Sequence, residues 1–129
     1  MKAWCRLMAI AMAALAIGPG SAWAQGAKSR AVTVTGRVVD NTCLLTMGLK
    51  GDGHRECAID CDKAGARMSL LDEKANVLYV LMVDKPLIDP NGKIREHFEG
   101  IVTITGDLYE APGGLHILAI KEVRAVATK

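Results

Sequence analysis

From residue 31 onward, apolar side chains fall on alternate positions over much of the chain. Val32, Val34 and Val38 alternate with Thr33, Thr35 and Arg37. That period-two, β-branched pattern predicts a strand over residues 31–40. Gly36 within it predicts a bulge or bend where a long first strand curves. Residues 68–71 and 77–83 predict two more strands, joined by a turn over residues 72–76. The second of these is apolar at every position, which predicts cover on both faces. Pro86 and Pro90 close the region, Asn91-Gly92 turns the chain, and residues 93–98 suit one or two helical turns before Gly100. Residues 101–109 place Val102, Ile104 and Leu108 on one side and Thr103, Thr105 and Asp107 on the other. Pro112-Gly113-Gly114 then predicts a hairpin turn into a last strand over residues 115–126.

The stretch between the first two strands lacks this alternation. Residues 41–54 carry turn chemistry, with three glycines at 48, 51 and 53, and read as an irregular loop. Residues 55–64 lack Gly and Pro and suit a short helix, with Gly65 as its stop. Five strands, a short helix after the cysteine loop and another between strands 3 and 4 predict a mainly β fold. The expected architecture is a small five-stranded OB-like Greek-key barrel. An open five-stranded sheet with its helices on one face is the rival arrangement.

The first 24 residues follow a different rule. Lys2 and Arg6 precede an apolar run of eleven at residues 7–17, and Ala22-Trp23-Ala24 places small residues where a signal peptidase reads them. We expect residues 1–24 to be a signal peptide, 25–30 a flexible lead-in, and 31–127 a single domain. The apolar run is too short to span a bilayer. The expected location is the periplasm or the exterior, with no stable membrane span after cleavage.

Loss of that leader removes both tryptophans, Cys5 and two positive charges, leaving fourteen Lys and Arg against fourteen Asp and Glu. A neutral chain whose only aromatics are Tyr79, Phe98 and Tyr109 offers neither a basic field nor a stacking platform for nucleic acid. The expected protein is a monomer, with any envelope partner left open.

Chemistry concentrates in nineteen residues holding Cys43, His54, Cys57 and Cys61. Cys57 and Cys61 stand four apart, on one face of the expected helix. His54 and Cys61 are seven apart, about 10.5 Å along a straight helix. Gly51 and Gly53 leave the backbone free to fold His54 back toward them, and Cys43 closes the set from the end of the first strand. Cys3His is a complete tetrahedral set for zinc, in a structural or storage role. Met47, four residues after Cys43, adds a thioether that suits Cu(I). Haem attachment is disfavoured by Asp62 following Cys61. The rival reading is a disulfide from Cys43 to Cys57 or Cys61. Closing a loop of about 15 residues is worth about 3 kcal/mol in the chain-entropy account. A redox-active thiol is the third reading. Three thiols are an odd number for a compartment that oxidises them, which favours a metal.

His97 and His116 read as a solvent-facing residue on a charged turn and a rim residue of the last strand. Glu56, Asp60 and Asp62 read as the exposed helix face, or as partners that orient His54. No nucleophile elbow, phosphate loop, dinucleotide glycine motif or HExxH is present. The expected protein is not an enzyme.

Val34 to Cys43, then His54, Cys57, Cys61 and Gly65, read as "VxGxVxDxxC" followed by "HxxCxxxC" and a glycine, and residues 100–106 are similar to a "GxxVxVxG" strand. In these motifs the chain resembles a group of small, uncharacterised secreted bacterial proteins. The resemblance covers most of residues 34–107 and implies a small OB-like β domain behind a signal peptide. It implies no particular activity. This chain differs in a longer insert, residues 44–51, between Cys43 and His54.

Overall fold

A computed structural model describes residues 26–127. The expected signal peptide, with Cys5, lies outside the described residues. Five strands form a closed barrel: β1 (Ser29–Asp40), β2 (Met68–Asp72), β3 (Val77–Met82), β4 (Ile101–Ala111) and β5 (Leu115–Ala125). They close in the order β1-β2-β3-β5-β4, with β3 and β5 parallel and every other pair antiparallel. This is the OB-like Greek key expected from the strand pattern, and the open sheet is set aside. No helix among the described residues is long and apolar enough to cross a membrane.

Two features of β1 make closure possible. Its first part pairs with β4 from Ser29↔Tyr109 to Arg37↔Ile101, and its last part with β2 from Arg37↔Leu71 to Asp40↔Met68. Gly36 stands just before that exchange of partners. A Cβ there would lie 2.5 Å from the Leu71 carbonyl oxygen, so only glycine admits the approach. The ladder's irregularity lies elsewhere, between Thr105 and Gly106, where Lys121 of β5 has no opposite number. A Cβ at Gly106 would fall 2.1 Å from the Ala119 carbonyl oxygen. Lys93 Nζ donates to the Ile120 carbonyl at 3.0 Å and so holds the β3–β4 connection against this bulge.

The alternating residues meet inside. Val38, Leu70, Ile104, Leu118 and Ile120 are fully buried, joined by Phe98 and Ile94 from the β3–β4 connection and Ala58 from the helical insert. β3 departs from its expected double cover. Leu81 is buried and the other five positions are half-buried, so the cover is partial on both faces. The lead-in is shorter than expected, since Ser29 and Arg30 already pair with Tyr109 and Leu108.

The helices also differ from expectation. Residues 41–54 are not irregular throughout: α1 (Asn41–Met47) starts directly at the end of β1. Asp40 caps it, its Oδ1 accepting from the Cys43 N–H at 2.9 Å, so Asn41 and Thr42 serve a first turn instead of a loop. Gly48, at φ 69°, ends it. A 3-10 turn (Asp52–His54) leads into α2 (Arg55–Lys63). Gly65 at φ 91° closes α2, with its N–H on Asp62 and the Ala66 N–H on Cys61, as the sequence predicted. The helix expected between strands 3 and 4 is only a 3-10 turn (Arg95–His97).

Candidate metal centre

The helical segment between β1 and β2, here called the insert, is fastened at several points, and these set the site. Arg55, opening α2, donates to the carbonyls of Phe98 (2.6 Å) and Glu96 (2.8 Å). Near the other end of α2, Asp62 accepts from Arg95 Nε and Asn91 Nδ2, both at 2.7 Å. α2 is thereby strapped to the β3–β4 connection. α1 is fixed through Asp40, the last residue of β1. Cys43 on α1 and Cys57 and Cys61 on α2 are carried by separately anchored helices, with His54 at the joint.

Ligand atoms of Cys43, His54 and Cys57 lie within 4.8 Å of one another. A second group, sharing Cys43, brings Asp40, Cys43 and Cys61 within the same span. Cys61 is therefore delivered to Cys43 but not into one compact set with His54 and Cys57. Cys43 is the hinge of both groups. The Cys43 and Cys61 sulfurs stand 3.9 Å apart. Two thiolates on a tetrahedral zinc at about 2.3 Å each are separated by about 3.8 Å. All three thiols are free; Cys43 is buried and Cys57 exposed.

His54 is oriented by a residue the sequence reading did not single out. Its Nδ1 donates to Glu99 Oε1 at 3.0 Å. The Glu99 side chain is 0% exposed, and its other oxygen accepts from the Gly51 N–H at 2.6 Å. With Nδ1 occupied, the nitrogen left to bind an ion is Nε2, which is buried and has no hydrogen-bond partner. A buried unpartnered polar atom is costly unless something completes it. A carboxylate on one imidazole nitrogen and a free second nitrogen is the usual arrangement behind a metal-bound histidine. Glu99 also takes φ 63°, an uncommon conformation for a residue other than glycine. The sequence carries no local sign of this role, because Glu99 lies 45 positions from His54.

Asp40 is the second unforeseen neighbour. It is fully buried; its Oδ1 caps α1 and its Oδ2 has no partner. The Asp40 carboxylate beside it, burial and the neighbouring Cys43 push the Cys61 thiol up to about 12. Burial, most of all, also raises Cys43. Both are thiols at neutral pH in the metal-free protein, so an ion bound here must displace protons.

The remaining candidates take other roles. Asp60 pairs with Lys63 at 2.8 Å on the exposed face of α2, and Glu56 is exposed. Asp62 is a buried anchor for Arg95, whose guanidinium holds its carboxyl below the ordinary range. His97 is half-buried rather than solvent-facing. His116 packs against Tyr79 with ring centroids 5.7 Å apart. Neither histidine joins the cysteine groups. Compared with known proteins, the chain matches no family model, no curated protein and no solved structure at a significant level.

Proposed function

We propose that this chain is an exported, monomeric metal-binding protein, its ion held by Cys43, His54, Cys57 and Cys61 in a structural or storage role. Export rests on the leader pattern of residues 1–24. The observation that carries the metal reading is the buried His54, held on one nitrogen by Glu99 and unpartnered on the other, within 4.8 Å of two thiols. Cys61 completes the set by a side-chain rotation toward the ion bound at Cys43.

Zinc suits three thiolates and an imidazole. Copper(I) gains one further soft donor, since Met47 lies one helical turn from Cys43 on α1 and is 58% exposed. A closed set leaves no coordination position for a substrate, which supports a binding protein over an enzyme. The neutral, aromatic-poor mature chain supports a partner other than nucleic acid.

The test is elemental analysis of protein exported to the periplasm, alongside a count of titratable thiols after unfolding with and without chelator. About one ion per chain with all three thiols reactive is the expected result. His54→Ala should lower metal content sharply, whereas unchanged content would remove His54 from the site. One reactive thiol and no metal would select the disulfide-stapled barrel instead.

A further inference from the structure

We propose that metal binding and disulfide formation are two states of this one site, so that joining Cys43 to Cys61 expels the ion. This inference rests on the metal reading above. Cys43 is the shared member of both ligand groups. Its sulfur lies within 4.8 Å of the His54 and Cys57 ligand atoms and 3.9 Å from the sulfur of Cys61. That separation suits two thiolates on one tetrahedral ion. It is also short enough that side-chain rotation brings the sulfurs to the roughly 2.05 Å of a disulfide.

The three possible pairings are not equivalent. Cys57 and Cys61 sit on the same face of α2. Cβ atoms at that spacing are about 5–6 Å apart, beyond the roughly 3.5–4.5 Å a disulfide accepts. Cys43 sits on a different helix from the other two, and its sulfur is 3.9 Å from that of Cys61, whereas Cys43 and Cys57 are brought only within 4.8 Å of each other. Cys57 is the exposed thiol and is left over, which accounts for the odd number of cysteines once Cys5 leaves with the leader.

The co-reactant is a disulfide, either on a thiol-oxidising protein or in a small molecule. The Cys61 thiolate, bound to the ion, attacks one sulfur of that disulfide and releases a first thiolate. The Cys43 thiolate then attacks the Cys61 sulfur of the mixed disulfide and releases the second. Two electrons pass from the cysteine pair to the disulfide, which leaves as two thiolates. The ion keeps only His54 and Cys57, fewer ligands than a stable zinc site uses, and departs. A dithiol reductant reverses each step.

The experiment uses the reduced protein loaded with zinc and checked by elemental analysis. About one equivalent of dithiodipyridine is added in the presence of a chromophoric zinc indicator. The expected result is about one zinc freed for every two pyridinethiones, on the same time course, with Cys43 linked to Cys61 in proteolytic mapping. Reductant and zinc together should restore the starting state. A Cys43–Cys57 link, or zinc that stays bound while the reagent is consumed, overturns the proposal and leaves the metal site standing. Failure of the reduced protein to take up stoichiometric zinc at the outset overturns the metal reading, and the switch with it.

Discussion

Glu99→Gln is the sharpest probe of how His54 is held. Glutamine keeps the volume of a side chain that is 0% exposed, so it opens no cavity. It keeps one acceptor oxygen, enough for either the Gly51 N–H at 2.6 Å or His54 Nδ1 at 3.0 Å, but not both. Its NH2 group presents a second donor to a donor already there. The variant therefore loses a charge-assisted hydrogen bond, and the imidazole loses the partner that fixes its orientation and raises its basicity. Substitutions of such partners typically lower metal affinity about ten- to a hundredfold. At about 1.4 kcal/mol per decade, that is about 1.4–2.8 kcal/mol. The assay is competition for zinc against a chelator of known affinity. The metal-free proteins are melted in parallel, so that loss of the Gly51 contact is seen on its own. An affinity equal to that of the parent, in a variant that melts normally without metal, would refute the orientation argument.

Three further outcomes are expected. Stripping the ion should lower the melting temperature: zinc at a hundredfold excess over its Kd adds about 2.7 kcal/mol, or about 10–20 °C for a domain of this size; equal melting with and without chelator would count against the site. Gly106→Ala should destabilise the barrel by at least about 2 kcal/mol in chemical denaturation, because its Cβ would press the Ala119 carbonyl oxygen; Gly26→Ala, whose Cβ meets nothing, should leave the denaturation midpoint in place. The hydrogen bond from Lys50 Nζ at 2.7 Å, with the Arg37 guanidinium nearby, holds the Glu73 carboxyl below its ordinary range, so its stabilisation is present above the ordinary carboxylate pKa and is lost as pH falls through the lowered one. Glu73→Gln should therefore melt below the parent near neutrality and converge with it in acid, by no more than about 1 kcal/mol for so exposed a group; a gap that does not shrink as the pH is lowered would show that the charge is not its cause.

The barrel was legible because its signal is local. Period-two alternation in β1 and β4 marks which side chains face inward, and Val38, Val102, Ile104 and Leu108 are all buried as that pattern requires. The end of α2 was legible for the same reason, since Gly65 acts on its own three neighbours. α1 was missed because Asp40 looked like the end of a strand and Asn41-Thr42 like a turn. The same three residues are equally good as a cap and a first helical turn. Only the packing of β1 against β2, which aims Asp40 into the insert, decides between the two.

The four ligand candidates were legible from residue type, but not the partner that completes them, and the barrel explains why. The β1–β4 ladder does not stop at Arg37↔Ile101: the Val38 N–H donates to Gly100 at 3.0 Å, and the Glu99 N–H donates to Val38 at 2.8 Å. Arg37 adds a guanidinium bond to the Glu99 carbonyl at 2.6 Å. Closure of the barrel thus sets Glu99 beside the end of β1, two residues before Asp40 starts the helix that carries Cys43. Holding a glutamate at φ 63° in a fully buried position costs free energy that the core does not need spent there. The surrounding ladder over-determines that conformation, and its consequences are the fixed His54 imidazole and the tethered Gly51 N–H just before it. A site assembled this way depends on strand register more than on the cysteine spacing. Any change that slips β1 against β4 should therefore part His54 from Glu99 and, at the same time, move Cys43, which α1 carries from the end of β1.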